Sequence, residues 1–265
     1  MNTFKVLVAS ACLLLVCPWL PWGDLSVHSL VRFLISGAIG LAIADLFILR
    51  AFGQLGSSRT LILFGFQPLI IAFLNWFLHS QSLTKPQISA VFFLIGALVI
   101  FSFENKQRTG SWHLKSILLA LIGICFDAIG VLFTRSAFQD SPDFHILHGH
   151  IVRCLGAIFI FLCIHFFFQK IPILSVFRSL PKASQKRVVL GSFLGTFLSL
   201  CFYLTAIKIG NVSTLSSVAI TGPLFAGVFE CVYQRKLPSG YLVTATILFM
   251  IGFSLLTGLF SFVSN

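Results

Sequence analysis

The chain has 265 residues, of which 9% are charged and 57% hydrophobic, with 31 Phe and a mean hydropathy of +1.00; an ordinary soluble domain carries about a quarter of its residues as charged side chains. No water-exposed surface can be assembled from that, which excludes an extramembrane catalytic domain, a nucleotide-binding domain and a large receptor ectodomain and leaves an all-α integral membrane protein. The net charge of +11 would suggest nucleic acid in a soluble chain, but these Lys and Arg are spread between apolar segments, where they anchor helices against anionic lipid headgroups, so no nucleic-acid partner is expected.

A membrane-spanning helix takes about 20 apolar residues, so a chain of this length has room for about nine with short loops. In residues 1–23 Lys5 precedes an apolar run, Val6 to Val16, of signal-peptide length. The next residues, Cys17-Pro18-Trp19-Leu20-Pro21-Trp22, contain no small-x-small cleavage site and put two Trp where an interfacial belt sits. The stretch reads as a retained first helix. Further apolar segments fall at 28–50, 59–79, 87–103, 115–137, 147–168, 187–208, 214–233 and 240–262. The longest connections are Phe138 to Ile146 and Gln169 to Lys186. The seven Cys lie almost entirely inside apolar runs with no CxxC, as small buried hydrophobes do.

Residues 139–150 gather three His and two Asp, types that hold borderline divalent ions. Without a Cys or a second cluster to complete the set, they read as a solvated loop and helix cap, and neither a metal nor a cofactor is expected. Counted by alternate loops, Lys5, Arg50, Arg59, Lys106, Arg108, Lys115, Lys170, Arg178, Lys182, Lys186, Arg187, Arg235 and Lys236 face Arg32, Lys85, Arg135, Arg153 and Lys208 on the other side. Since short basic loops stay in the cytoplasm, the N-terminus is expected inside and, with nine helices, the C-terminus outside.

Residues 40–69 align on 195–224 at an offset of 155 without a gap. Gly40/Gly195, Phe47/Phe202, Leu49/Leu204, Ala51/Ala206, Ser58/Ser213, Pro68/Pro223 and Leu69/Leu224 are identical, where composition alone gives about two or three matches. Five helices separate the copies, so they are expected upside down relative to each other, an arrangement common in secondary transporters.

The stretch LFILRAFGQLGSSRTLILFGFQPLIIAFLNW with FFLIGALVIF after it, and CFYLTAIKIGNVSTLSSVAITGPLFAGVFE with LFMIGFSLL after it, resemble the EamA repeat of the drug/metabolite transporter superfamily. Ala51, Ser58, Pro68 and Gly96 fit that repeat in the first half, and Ala206, Ser213, Pro223 and Gly252 in the second. The resemblance implies two inverted repeats, here 1–106 and 107–265, moving small metabolites without ATP hydrolysis. Family members commonly have ten helices and both termini inside, whereas the first repeat here has room for about four. The family often has Glu just after the Pro helix; Gln81 and Lys236 stand there instead.

Pro68 and Pro223 interrupt corresponding helices, each leaving a backbone carbonyl four residues earlier without its partner, at Phe64 and Ala219. Paired interruptions point to a transporter's central site, so Gln67, Thr221 and Gly222 beside them are expected to line the path, with Tyr203 adding a polar group nearby. Acids inside apolar segments are costly and face the bundle interior, which makes Asp127, Glu230 and Asp45 the candidates for proton coupling, Asp127 also for substrate binding. Gly123 and Gly130 on the face of Asp127 are read as leaving room for a partner or substrate, and Gly191 and Gly195 as permitting close helix packing.

The expected function is a secondary-active transporter, exporting or importing a small metabolite or drug by alternating access, with or without proton coupling, in the plasma (inner) membrane. Its partners are a small-molecule substrate and the lipid bilayer, with a homodimer left open. A non-transporting scaffold and a polytopic membrane enzyme are the alternatives; against the enzyme stands the lack of HExxH, GxSxG or a paired-acid motif.

Overall fold

The computed structural model describes residues 2–56, 60, 63–64, 66–67, 69–71, 73–74, 85–109, 114–167, 173–209, 229, 232, 235 and 239–257, and among these every regular element is helical. Helix α1 (Asn2–Val16) ends in a 3-10 turn, Cys17–Trp19, where Pro18 lacks an N–H and the Leu20 N–H reaches the Cys17 carbonyl at 3.1 Å. Helix α2 (Val27–Leu55) starts at Ser26, whose hydroxyl accepts from the Ser29 N–H, and widens to a π-helix over Gly37–Ala44. Beyond it come α3 (Lys85–Thr109), α4 (Leu114–Asp140), α5 (Ile146–Phe167), α6 (Ile173–Ser179), α7 (Lys182–Ile209, with a second π segment at Phe193–Leu198) and α8 (Gly240–Thr257).

Five of these are long and apolar enough to cross a membrane: Asn2–Trp19, Val27–Leu55, Leu114–Asp140, Ile146–Phe167 and Lys182–Ile209. Helices α3 and α8 stand where spans are expected at 87–103 and 240–262, with apolar stretches Ile88–Ala97 and Val243–Leu255. The segments 59–79 and 214–233 fall largely outside the described residues. The connection expected from Gln169 to Lys186 instead contains α6 and the first turn of α7, because Lys182, Ala183, Gln185 and Lys186 are good helix formers despite their polarity.

The chain divides into two compact units, Met1–Leu46 with Ile129–Gly210, and Phe47–Ala128 with Asn211–Asn265. In the first unit, α2 packs against α4 and α5 through glycines. A Cβ on Gly37 would lie 1.8 Å from the Arg153 carbonyl oxygen, one on Gly156 2.1 Å from that of Leu34, and one on Gly130 3.0 Å from the Gly40 Cα. Lipid tails match Leu or Phe in apolarity, so membrane helices associate through such close approach and through hydrogen bonds. A hydroxyl seam supplies the latter: Ser36 Oγ donates to the Gly130 carbonyl at 2.7 Å and meets Thr134 Oγ1 at 2.5 Å, and Ser29 Oγ donates to the Ala137 carbonyl at 3.0 Å. The space read beside Gly130 is therefore filled by α2. Gly191 and Gly195, expected to permit close packing, have nothing described within 4 Å of an added Cβ.

The two π segments occupy matched positions: the offset of 155 lays Phe193–Leu198 on residues 38–43, inside Gly37–Ala44. In the second unit α3 packs on α8, with Gly252 so close that a Cβ would lie 2.8 Å from the Phe93 Cβ. The core there joins Ala51, Leu55, Leu63, Phe66, Leu94, Ile124, Phe249 and Phe253. Gly252 is thus needed for its small size, and Ala51 is fully buried in this core.

Candidate functional site

Helix α4 carries Asp127 in its apolar interior, next to the buried Ala128 and beside Phe126, whose ring stacks on Phe47 at 5.9 Å. The Gln67 side chain reaches it across the second unit, Nε2 donating to Asp127 Oδ2 at 2.8 Å. Just before Gln67 the backbone tightens: the Phe66 N–H bonds the Leu63 carbonyl three residues back at 2.9 Å, and the Ile70 N–H returns to a four-residue reach, to Phe66, at 3.0 Å. Both side chains are half-buried. A carboxamide can donate to a carboxylate or, turned over, accept from a carboxylic acid, so the pair can keep a hydrogen bond in either protonation state of Asp127.

Two candidates from different segments are therefore joined. Pro68, Thr221, Gly222, Pro223 and Glu230 lie outside the described residues. Tyr203, half-buried in α7, and Asp45, in α2, belong to the first unit. Asp45 follows the first π segment and pairs with Lys5 Nζ at 2.5 Å, joining α1 to α2.

Arg153, which the charge count places among the loop cations, lies inside α5 and is 2% exposed. One turn away, His150 Nε2 stands 2.9 Å from the Thr196 carbonyl, within the second π segment. The residues 150–153 of α5 thus touch both π segments, since Gly37 packs on the Arg153 backbone. The signal in the sequence is an Arg inside the apolar segment 147–168, where an ionisable side chain usually faces the bundle interior.

The histidines at 145–150 do not form a solvated loop. His148 is buried, stacked on Trp22 at 4.1 Å, with Nε2 3.2 Å from the Cys17 carbonyl. His145 Nδ1 accepts from the Leu147 N–H at 3.2 Å at the start of α5; partial burial lowers its pKa below the usual imidazole value, and the neighbouring His148 and Lys208 lower it further. Among the described residues no three His, Cys, Asp or Glu come together as a metal-binding group.

No curated protein matches the chain. Nineteen chains of known structure match it; one, described only as a crystal structure of a protein, has a TM-score of 0.65 at 16% identity, covering 97% of this chain and 86% of its own. That likeness concerns the fold. The model of the EamA-like transporter family matches residues 1–103 and 114–258. With nearly the whole sequence matched on both sides of a short gap, this membrane-embedded helical chain belongs to the EamA-like transporter family.

Proposed function

We propose that the protein is a secondary-active transporter of a small metabolite or drug, working by alternating access between two inverted repeats, 1–106 and 107–265. Gln67 and Asp127 form the centre of its substrate site, and Asp127 carries the coupling proton. Pro68, Thr221, Gly222, Pro223 and Tyr203 complete the path, with Asp45 and Glu230 as secondary proton carriers. The protein acts in the plasma membrane with its N-terminus in the cytoplasm.

The observation that carries this reading is the 2.8 Å hydrogen bond from Gln67 to Asp127. An acid inside an apolar span costs about 2.5–3.5 kcal/mol to insert, and here it is met by the residue preceding Pro68, one of the repeat's two matched prolines. Helix interruptions at corresponding positions are where transporters bind substrate. A carboxylate with an adaptable amide partner can exchange a proton without losing its hydrogen bond.

The test is flux in proteoliposomes against a metabolite panel, with and without a pH gradient, for wild type and Asp127→Asn. Asn retains the shape and hydrogen-bonding reach but cannot exchange a proton. The variant is expected to lose gradient-driven accumulation while retaining substrate-for-substrate exchange. Accumulation equal to wild type by a stably inserted variant would remove Asp127 from coupling.

A further inference from the structure

Helix α6 and the first turns of α7 carry Arg178, Lys182, Lys186 and Arg187, all four exposed. The sequence has no Asp or Glu from Phe144 to Phe229. The ion pairs found among the described residues, Lys5–Asp45 and Arg32–Asp140, involve none of the four. Lys182 and Lys186 lie one helical turn apart, a spacing at which like charges repel, so positive charge is concentrated over ten residues with no acidic partner among the described residues.

The cations are held in a built turn. Gln185 Nε2 donates to the Leu180 carbonyl at 2.8 Å and the Arg178 carbonyl at 3.3 Å, and the Leu180 N–H bonds the Phe177 carbonyl at 3.2 Å. The turn is also tied to a spanning helix. The Phe177 ring stacks at 4.3 Å on Phe4, near the start of the spanning helix α1. Beside it Val176 is 52% exposed, and immediately past Arg187 helix α7 exposes Val189, Leu190, Phe193 and Leu194. The charges therefore lie where an apolar wall begins, the level at which headgroup phosphates meet acyl chains. Basic clusters beside a membrane helix recognise anionic lipids in this way.

We propose that Arg178, Lys182, Lys186 and Arg187 form a binding site for the phosphate headgroup of an anionic phospholipid, whose acyl chains lie along the Val189–Leu194 face of α7. The lipid neutralises the turn and holds α6 on the bilayer surface.

The test uses the full chain in mixed micelles titrated with phosphatidylglycerol or phosphatidylcholine, read by lipid retention in native mass spectrometry and by thermal unfolding. Wild type is expected to retain phosphatidylglycerol selectively and to melt higher in its presence. Each cation changed to Gln, which preserves helix propensity, is expected to weaken retention about fivefold, and the fourfold variant to lose the preference. The control Arg50→Gln with Lys115→Gln, two exposed cations on other helices, is expected to retain it. Equal loss in the control, an unchanged preference in the fourfold variant, or displacement by inorganic phosphate at the same concentration as the lipid would overturn the site. The readout needs no transport, so failure here and failure of the transporter reading are separate results.

Discussion

Gln67 and Asp127, sixty residues apart, share a 2.8 Å hydrogen bond in the second compact unit, the amide donating to the carboxylate. Of the two, Gln67 is replaceable without changing the number of ionisable groups. Gln67→Leu is expected to leave the chain inserted, to lower its stability by about 1–3 kcal/mol through loss of a donor to a charged group, and to reduce flux. Unfolding midpoints in detergent beside proteoliposome flux check this. Wild-type flux with a lowered midpoint would assign the pair to packing alone.

The glycine contacts separate close approach from mere composition. Gly37→Ala is expected to abolish stable folding or cost more than about 3 kcal/mol, since overpacking against rigid backbone is severely destabilising and the new methyl would lie 1.8 Å from a carbonyl oxygen. Gly195→Ala, with nothing described within 4 Å, should be neutral or stabilising by up to about 1 kcal/mol, the propensity gain of Ala over Gly in a helix. Yield and melting temperature of the two variants side by side decide it.

Lys5 and Asp45, with side chains 23% and 17% exposed, form a largely enclosed pair. Lys5→Met leaves a carboxylate without its partner and is expected to cost about 3 kcal/mol. Adding Asp45→Asn should recover most of that loss, because the stranded charge is gone. A double-mutant cycle by thermal unfolding measures the coupling; additive losses would mean that the pair is not an interacting unit.

His145 offers a pH test outside the spanning helices. Its pKa is lowered from 6.5 by burial and by neighbouring His148 and Lys208, so the unfolded chain takes up the proton more readily than the folded one. Its contribution to stability is therefore fully present above pH 6.5 and is lost as the pH falls below that value. Protonation also removes the Nδ1 lone pair that accepts from Leu147. His145→Gln should show a shallower decline of melting temperature than wild type as the pH falls from about 6.5 to about 5, and an identical slope would contradict the assignment.

Hydropathy makes the spans legible because lipid exposure demands it at every turn, and Asp127 is legible as an acid where acids are costly. Its partner is less so: Pro68 marks Gln67 as a candidate, but the hydrogen bond joins positions sixty residues apart, which no local pattern encodes. Arg153 is hidden by its own segment, since an apolar window tolerates one charge and the loop count then claims it. Gly191 and Gly195 carry the spacing of a packing motif but meet nothing among the described residues, while Gly37, Gly130 and Gly156 make such contacts. The π segments leave no trace in hydropathy, because lengthening an apolar helix by one residue keeps it apolar.

A π turn takes in one residue more than an α turn, so it shifts the phase of everything after it by about 100°. Asp45 meets Lys5, and Ala51 reaches its core, in a phase set by the segment at Gly37–Ala44. Had only one of the matched segments carried the surplus residue, the pairs Phe47/Phe202 and Ala51/Ala206 would have needed a gap relative to Gly40/Gly195, and they need none. Both stretches carry their surplus residue at the same place in the alignment, so the residues that follow each segment keep a common phase on their helices.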